Sequence, residues 1–212
     1  MSFPSIYAAL SPARMSTYLA ATKLKPPSLT DALALHAWNS RVGGLLLAQL
    51  AICEVVVRNA AADVLTAVYG AQWPWSQAFF LSLNFQGRTQ LTTSRTGQAT
   101  TGKVIAELPF GFWEHLFVAG YDPVLWTPHI NGAFPNLPIA LAPFQARGDI
   151  RSRLANLRKL RNRIAHHEPL MKLPLAARVQ DIQTVVGYRC NATASWAMTT
   201  HDALTLFNAP PA

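Results

Sequence analysis

Arg161-Asn162-Arg163-Ile164-Ala165-His166 places three chemically distinct side chains within six residues: a permanent cation, an amide and a group that titrates near neutral pH. Together they suit phosphodiester chemistry on RNA. RNA carries its own nucleophile, the 2′-hydroxyl beside the scissile phosphate. Cleavage then needs a base for that hydroxyl, an acid for the departing 5′-oxygen and a cation for the charge on phosphorus. Histidine can perform either proton transfer. The arginine fork matches phosphate oxygens and keeps its charge at any working pH. Asn162 can orient the histidine or the phosphate. The scheme requires no metal and no cofactor.

A helix must position these groups. From Ile150 to Glu168, at about 100° per residue, Ile150, Leu154, Leu157, Leu160 and Ile164 fall on one stripe that should face a core. Arg151, Arg158, Lys159 and Arg163 cover the rest of the surface and are expected to contact RNA phosphates, with Arg153 at the edge of the stripe. Arg161 breaks the pattern, because it lies within the apolar stripe, as does Glu168. A charge aimed at a core is costly unless paired. Arg161 is therefore expected to have a carboxylate partner, to open into a polar pocket or to snorkel to solvent. Its replacement by alanine is expected to damage folding. Arg161 and His166 lie about 140° apart on an ideal helix. Either the helix distorts before Pro169, or a second subunit completes the site.

A second polar interruption occurs in the apolar run Leu50–Asn59, where Glu54 and Arg58 are four apart with the acid first, a spacing that favours an intrahelical pair. Such a pair alone is commonly structural. Two helices that each carry Arg-Asn in an apolar setting can also pack into one polar patch, with Glu54, Arg58, Asn59, His167 and Glu168 supporting Arg161, Asn162 and His166. His166 and His167 are adjacent and point about 100° apart, and His-His-Glu has no zinc spacing, so no metal site is expected. The remaining histidines (36, 115, 129 and 201) are scattered.

The chain has 212 residues and a formal charge of +8, with half its residues hydrophobic and 13% charged. That composition implies a substantial core and argues against general disorder. The basic excess suits an anionic partner such as nucleic acid, or is simply a basic surface. Two cysteines, Cys53 and Cys190, sit in apolar stretches and suit reduced thiols in a cytoplasmic compartment. No signal peptide is apparent. The most apolar run, Val42 to Cys53, is too short to span a bilayer.

The fold class is all-α in one domain over 1–212. Ser11-Pro12 starts a short helix to about Ala21. Ser28 to Asp31 caps a long helix that ends at Gly70, with a weak point at Gly43-Gly44. Trp73-Pro74-Trp75 opens an irregular region. Residues 84–101 turn polar and are the best candidate for a mobile insert, one that can carry one short helix. Lys103 to Ala119 is apolar, with a kink at Pro109, and Phe110-Gly111-Phe112-Trp113 reads as packing rather than base stacking. Prolines 123, 128, 135, 138 and 143 mark a long, mostly irregular connection. Asp149 is expected to cap the motif helix, and Pro169 to end it. Helices Pro174–Tyr188 and Thr193–Phe207 should follow.

At the motif the chain resembles the HEPN superfamily, whose ribonuclease motif is Arg, a polar residue, three others, then His. More narrowly it resembles the Abi-like, AbiD/AbiF-type abortive-infection proteins. The resemblance runs over about 155 residues: Arg14-Met15-Ser16-Thr17-Tyr18-Leu19, Trp38-Asn39, Glu54 to Asn59, Gly102 to Trp113, and Leu160 to Pro169. It implies a HEPN-type helical bundle with additional helices, a homodimer with a composite site, metal-independent cleavage leaving a 2′,3′-cyclic phosphate, and a role in phage defence or toxin-like growth arrest. It also allows for an RNA or protein that neutralises the nuclease. By the motif, Arg161 and His166 would be catalytic and Asn162 supporting. The alternative is a non-catalytic RNA-binding or protein-binding module, antitoxin-like or regulatory.

Overall fold

The computed structural model describes residues 2–22, 26, 28–199, 209 and 211. It is all-α, with no strand among those residues. The organising element is α3 (Leu29–Tyr69), 41 residues long. The Ser28 side chain accepts from Asp31 N–H at 3.2 Å to start it. Gly70, at φ 83°, ends it in a conformation that residues with a Cβ avoid. Gly43 and Gly44 do not interrupt it. A Cβ on Gly43 would lie 3.4 Å from Ile164 Cγ2, an ordinary van der Waals contact, which marks where the motif helix crosses α3.

Two short helices, α1 (Phe3–Leu10) and α2 (Pro12–Ala21), pack on the first turns of α3, where Met15, Tyr18, Ala32 and Leu35 form a small separate core. The main core is built on one face of the rest of α3. Its walls are α4 (Gln77–Ser82), α5 (Phe85–Arg95), α6 (Thr101–Glu107), α7 (Phe110–His115), α8 (Thr127–Ala133), α9 (Pro143–Ala165), α10 (Leu175–Arg189) and α11 (Asn191–Thr199). Trp73, Trp113 and Trp126 are fully buried there. The indole N–H groups of Trp113 and Trp126 donate to the Leu108 and Leu116 carbonyls at 3.3 and 2.7 Å. Phe110, Phe112 and Trp113 are buried, so this segment is packing. Pro109 splits the expected single helix into α6 and α7. Helix α3 is long and apolar enough to cross a membrane by length and composition, but one face of it forms the core described here.

Segment 84–101 carries the one short helix expected there, α5, and two other regions differ from expectation. Segment 84–101 is largely helical: Asn84 caps α5 by accepting from Gly87 N–H at 2.8 Å, and Leu91 anchors it with no exposed surface. Arg88 and Arg95 donate to the Leu81 and Pro74 carbonyls and lie over the Phe80 ring. The proline-rich connection is also more regular than its composition suggests. Pro123 and Pro128 stand in the first turns of a π-helical turn (Asp122–Trp126) and of α8, where no N–H is required. Only 134–142 is irregular. Finally, Asp149 does not cap α9. Pro143 takes the first helical position, and Gln145 Oε1 accepts from Ala142 N–H at 3.0 Å. Asp149 instead lies inside the helix, binding Arg153 at 2.9 Å and the Tyr188 hydroxyl at 3.0 Å. The final expected helix, Thr193–Phe207, starts two residues earlier as α11, and its part beyond Thr199 lies outside the described residues.

Burial pushes the Cys53 thiol up to about 12. Cys190, between α10 and α11, accepts from Thr193 N–H at 3.4 Å, and that hydrogen bonding pulls its thiol below the ordinary range.

Candidate functional site

Helix α9 carries the motif. Ala146, Ile150, Leu154, Leu157 and Leu160 bury its inner face. Beyond Leu160 the helix runs out of the main core. Ile164 is half-buried against Gly43, and Arg161 is exposed, although it keeps the angular phase of the core stripe. The expectation of an inward-facing Arg161 is therefore corrected. A helical wheel reports direction, and at this level nothing covers that direction. Glu168 is also exposed, because α9 has ended before it.

Arg161 does have an acidic neighbour. Burial raises the Glu54 carboxyl above its usual range, while the charges of Arg161 and Arg58 act to lower it. Arg161, Glu54 and Arg58 thus form one electrostatic group across α3 and α9, but no hydrogen bond or ion pair joins Glu54 to either arginine, so the expected intrahelical Glu54–Arg58 pair does not close. The Arg58 Nε–H is buried with no acceptor. Asn59 is exposed on α3 and belongs to no hydrogen-bonded cluster.

The end of α9 is a complete Schellman turn. His166 is the C-cap, and its N–H reaches the Asn162 carbonyl at 2.9 Å. His167 N–H bonds the Ile164 carbonyl at 2.9 Å, and Glu168 N–H the Arg163 carbonyl at 2.8 Å. The position that normally takes glycine holds His167, at φ 55°. An ion pair, Arg163 Nε to Glu168 Oε2 at 3.3 Å, stands where such turns usually have an apolar contact. Arg163 also donates to the Pro169 carbonyl at 3.1 Å.

Two distant residues hold this turn. Arg14 donates to the His167 carbonyl at 2.5 Å. Asn39 accepts from Leu170 N–H at 2.7 Å and donates to the Glu168 carbonyl at 3.4 Å. Between the turn, α1, α2 and α3 lies a cavity of about 660 Å³, lined in part by Arg14, His36, Asn39, Gly43, His167 and Glu168. His36 meets the Tyr18 ring edge-on at 5.1 Å. Burial lowers its pKa, and the charges of Arg14 and His167 lower it further. Arg14, His36 and Asn39 were not picked out as site residues from the sequence. The available signal was that His36 and Asn39 share a helical face and that Arg14 and Asn39 fall in segments that carry the family resemblance.

His167 lines the cavity, whereas His166 is exposed outside it. Helix α9 stays regular to Ala165, so it does not bend to bring Arg161 and His166 together. Much of its basic surface is already neutralised. Arg147 pairs with Asp122, Arg153 with Asp149 and Asp181, Arg158 with Glu114, and Arg163 with Glu168. Arg151, Lys159 and Arg161 are exposed and have no carboxylate within ion-pair distance among the described residues.

No group of three or more potential metal ligands occurs among the described residues. No protein-family model, curated protein or solved structure matches the chain.

Proposed function

We propose that the protein is an endoribonuclease that works as a two-fold homodimer, each site taking Arg161 from one chain and His166 from the other. The observation that carries this reading is an uncovered face. On α3, Gly44, Leu47, Ala48, Ala51 and Val55 form one exposed stripe, with Leu47 43% and Val55 40% accessible. Beside it Arg161 keeps the phase of a core position yet faces solvent. An apolar face flanked by a cation that closes no ion pair suits a second copy, whose presence would cover the stripe. The pairing also resolves the geometry, since one regular helix cannot converge Arg161 and His166 on a single phosphate.

In the reaction, the 2′-oxygen forms a bond to phosphorus and the bond from phosphorus to the 5′-oxygen breaks. A base takes the 2′-hydroxyl proton, and an acid supplies one to the departing 5′-oxygen. His166 performs one transfer and solvent water the other. Arg161 stabilises the charge on the non-bridging oxygens, and Asn162 orients the histidine. The product is a 2′,3′-cyclic phosphate. A role in phage defence or growth arrest, with a neutralising RNA or protein partner, rests on the family resemblance.

The test is complementation. Arg161→Ala and His166→Ala proteins are each assayed on labelled single-stranded RNA in EDTA, then mixed after subunit exchange. Each alone should be inactive. Random reassortment of a shared two-site dimer should restore about a quarter of wild-type activity. No recovery, with both proteins folded and dimeric, would refute the shared site. RNA binding without cleavage by the wild type would favour a non-catalytic module. The many neutralised arginines of α9 lean instead toward a module that binds protein rather than RNA.

A further inference from the structure

A second cavity, of about 230 Å³, opens on the other side of the motif helix, between the start of α5, α7 and α9. Its lining is polar: Asn84, Gln86 and Gln90 from α5, and Arg151 and Arg158 from α9. Both arginines lie on one face of α9, since seven residues bring a helix nearly back to the same angle. Arg158 is fixed by the buried Glu114, whose carboxylate takes its Nε–H at 2.5 Å. The terminal N–H groups of that guanidinium take no part in the bond. Asn84 is fixed twice, by accepting from Gly87 N–H at 2.8 Å and by its amide at 2.9 Å from His115 Nε2. Phe85, which lies in sequence between the lining residues Asn84 and Gln86 but is not itself part of the lining, is 86% exposed, the most accessible aromatic ring among the described residues and part of no aromatic pair.

We propose that this cavity binds one nucleotide of a single-stranded RNA. Arg151 and the free N–H groups of Arg158 hold phosphate, Gln86 and Gln90 contact the base edge, and Phe85 stacks on the base. Each part has its chemical reason. Amide side chains offer both donors and acceptors to a base edge. An exposed ring beside cations is the usual platform for an unpaired base. The cavity is below the size of drug-like pockets and suits one base rather than several. Its position fits a strand. Asn162 lies about 40° from Arg158 and about 6 Å further along α9, so RNA leaving the cavity along that face reaches the motif. The site rests on the reading of the protein as acting on RNA, and it would supply that reading with a source of base preference.

The experiment measures binding by fluorescence anisotropy. The probes are four labelled 12-nucleotide homopolymers with 2′-O-methyl riboses, which cannot be cleaved by 2′-oxygen attack, titrated over a range of salt. The substitutions fall on exposed or half-buried side chains that the core does not use, and circular dichroism checks that each variant is folded. Phe85→Ala should weaken binding to all four at least fivefold. Arg151→Gln should weaken all four alike and lower the salt slope by about one. The double variant Gln86→Ala, Gln90→Ala should change the ranking of the four homopolymers. AMP, CMP, GMP and UMP should displace the oligomers only at millimolar concentration, because each supplies a single phosphate.

Wild-type affinity in all three variants, alongside normal cleavage by the wild type, would overturn this site and leave the nuclease reading intact. Tight mononucleotide binding lost in the same variants would overturn the RNA strand as its ligand. A wild type that neither binds nor cleaves RNA would overturn both.

Discussion

His167 stands at φ 55°, a left-handed conformation that costs a residue with a Cβ about 1–2 kcal/mol. Glycine at this position would remove that cost. Its freer unfolded chain would return roughly 0.4–1 kcal/mol of the gain. Little else is lost, because the bond that ties His167 to Arg14 uses its carbonyl, and its side chain is exposed. The net is a stabilisation of roughly 0.5–1 kcal/mol, or about 1–4 °C in Tm for a chain of this size. His167→Ala keeps the strained backbone and loses the same imidazole, so it should stay within about 0.5 kcal/mol of wild type. Thermal unfolding followed by circular dichroism at pH 7.5 compares the three proteins. A His167→Gly protein that melts below wild type would refute the account of strain at this turn. So would an alanine variant that gains as much as the glycine one. If the cavity beside the turn takes part in RNA cleavage, both variants lose activity while only one gains stability.

Arg161→Ala should be soluble and within about 0.5 kcal/mol of wild type in stability, since the side chain is exposed and closes no ion pair; a loss above about 2 kcal/mol in chemical denaturation would show that it is structural. His36 has a native pKa below its ordinary value, so its contribution to stability is complete above about pH 6.5 and is lost as pH falls through the lower native value, where the unfolded chain has already taken up the proton. Replacing His36 by Gln should therefore flatten the acid limb of Tm against pH, and an unchanged limb would count against it. A thiol reagent added to the native protein at pH 8 should modify Cys190 and leave Cys53 untouched until denaturant is added. Rapid labelling of Cys53 in the native state would show that α3 opens.

The capped helices were legible because their signals are local. Ser11-Pro12, Ser28 to Asp31 and Gly70 each act within one turn of chain. The start of α9 was misplaced for the opposite reason. Asp149 is a good cap residue, but its carboxylate is taken by Arg153 and by Tyr188, 39 positions away. Residues 84–101 look too polar to pack, yet Leu91 is buried in the core and Arg88 and Arg95 tie α5 to the Leu81 and Pro74 carbonyls. At the site, the residue types of the motif were readable, but the direction of Arg161 was not. Its phase follows from sequence, whereas the point at which α9 leaves the core depends on how it crosses α3 at Gly43. The cavity behind His167 could not be read at all. It depends on Arg14 and Asn39, which lie far from the motif in sequence and act on its backbone.

That long-range dependence has a consequence in time. Asn39 and Leu170 are 131 positions apart, and the bond between them closes a loop of more than half the chain. Contacts of such separation form only after the chain's local structure has been built. A chain emerging during synthesis completes α3 long before it can hold the turn at His167. The turn at His167 therefore takes its shape only when the segments of Arg14 and Asn39 have met it, and an unfinished chain carries the motif's residues without that support.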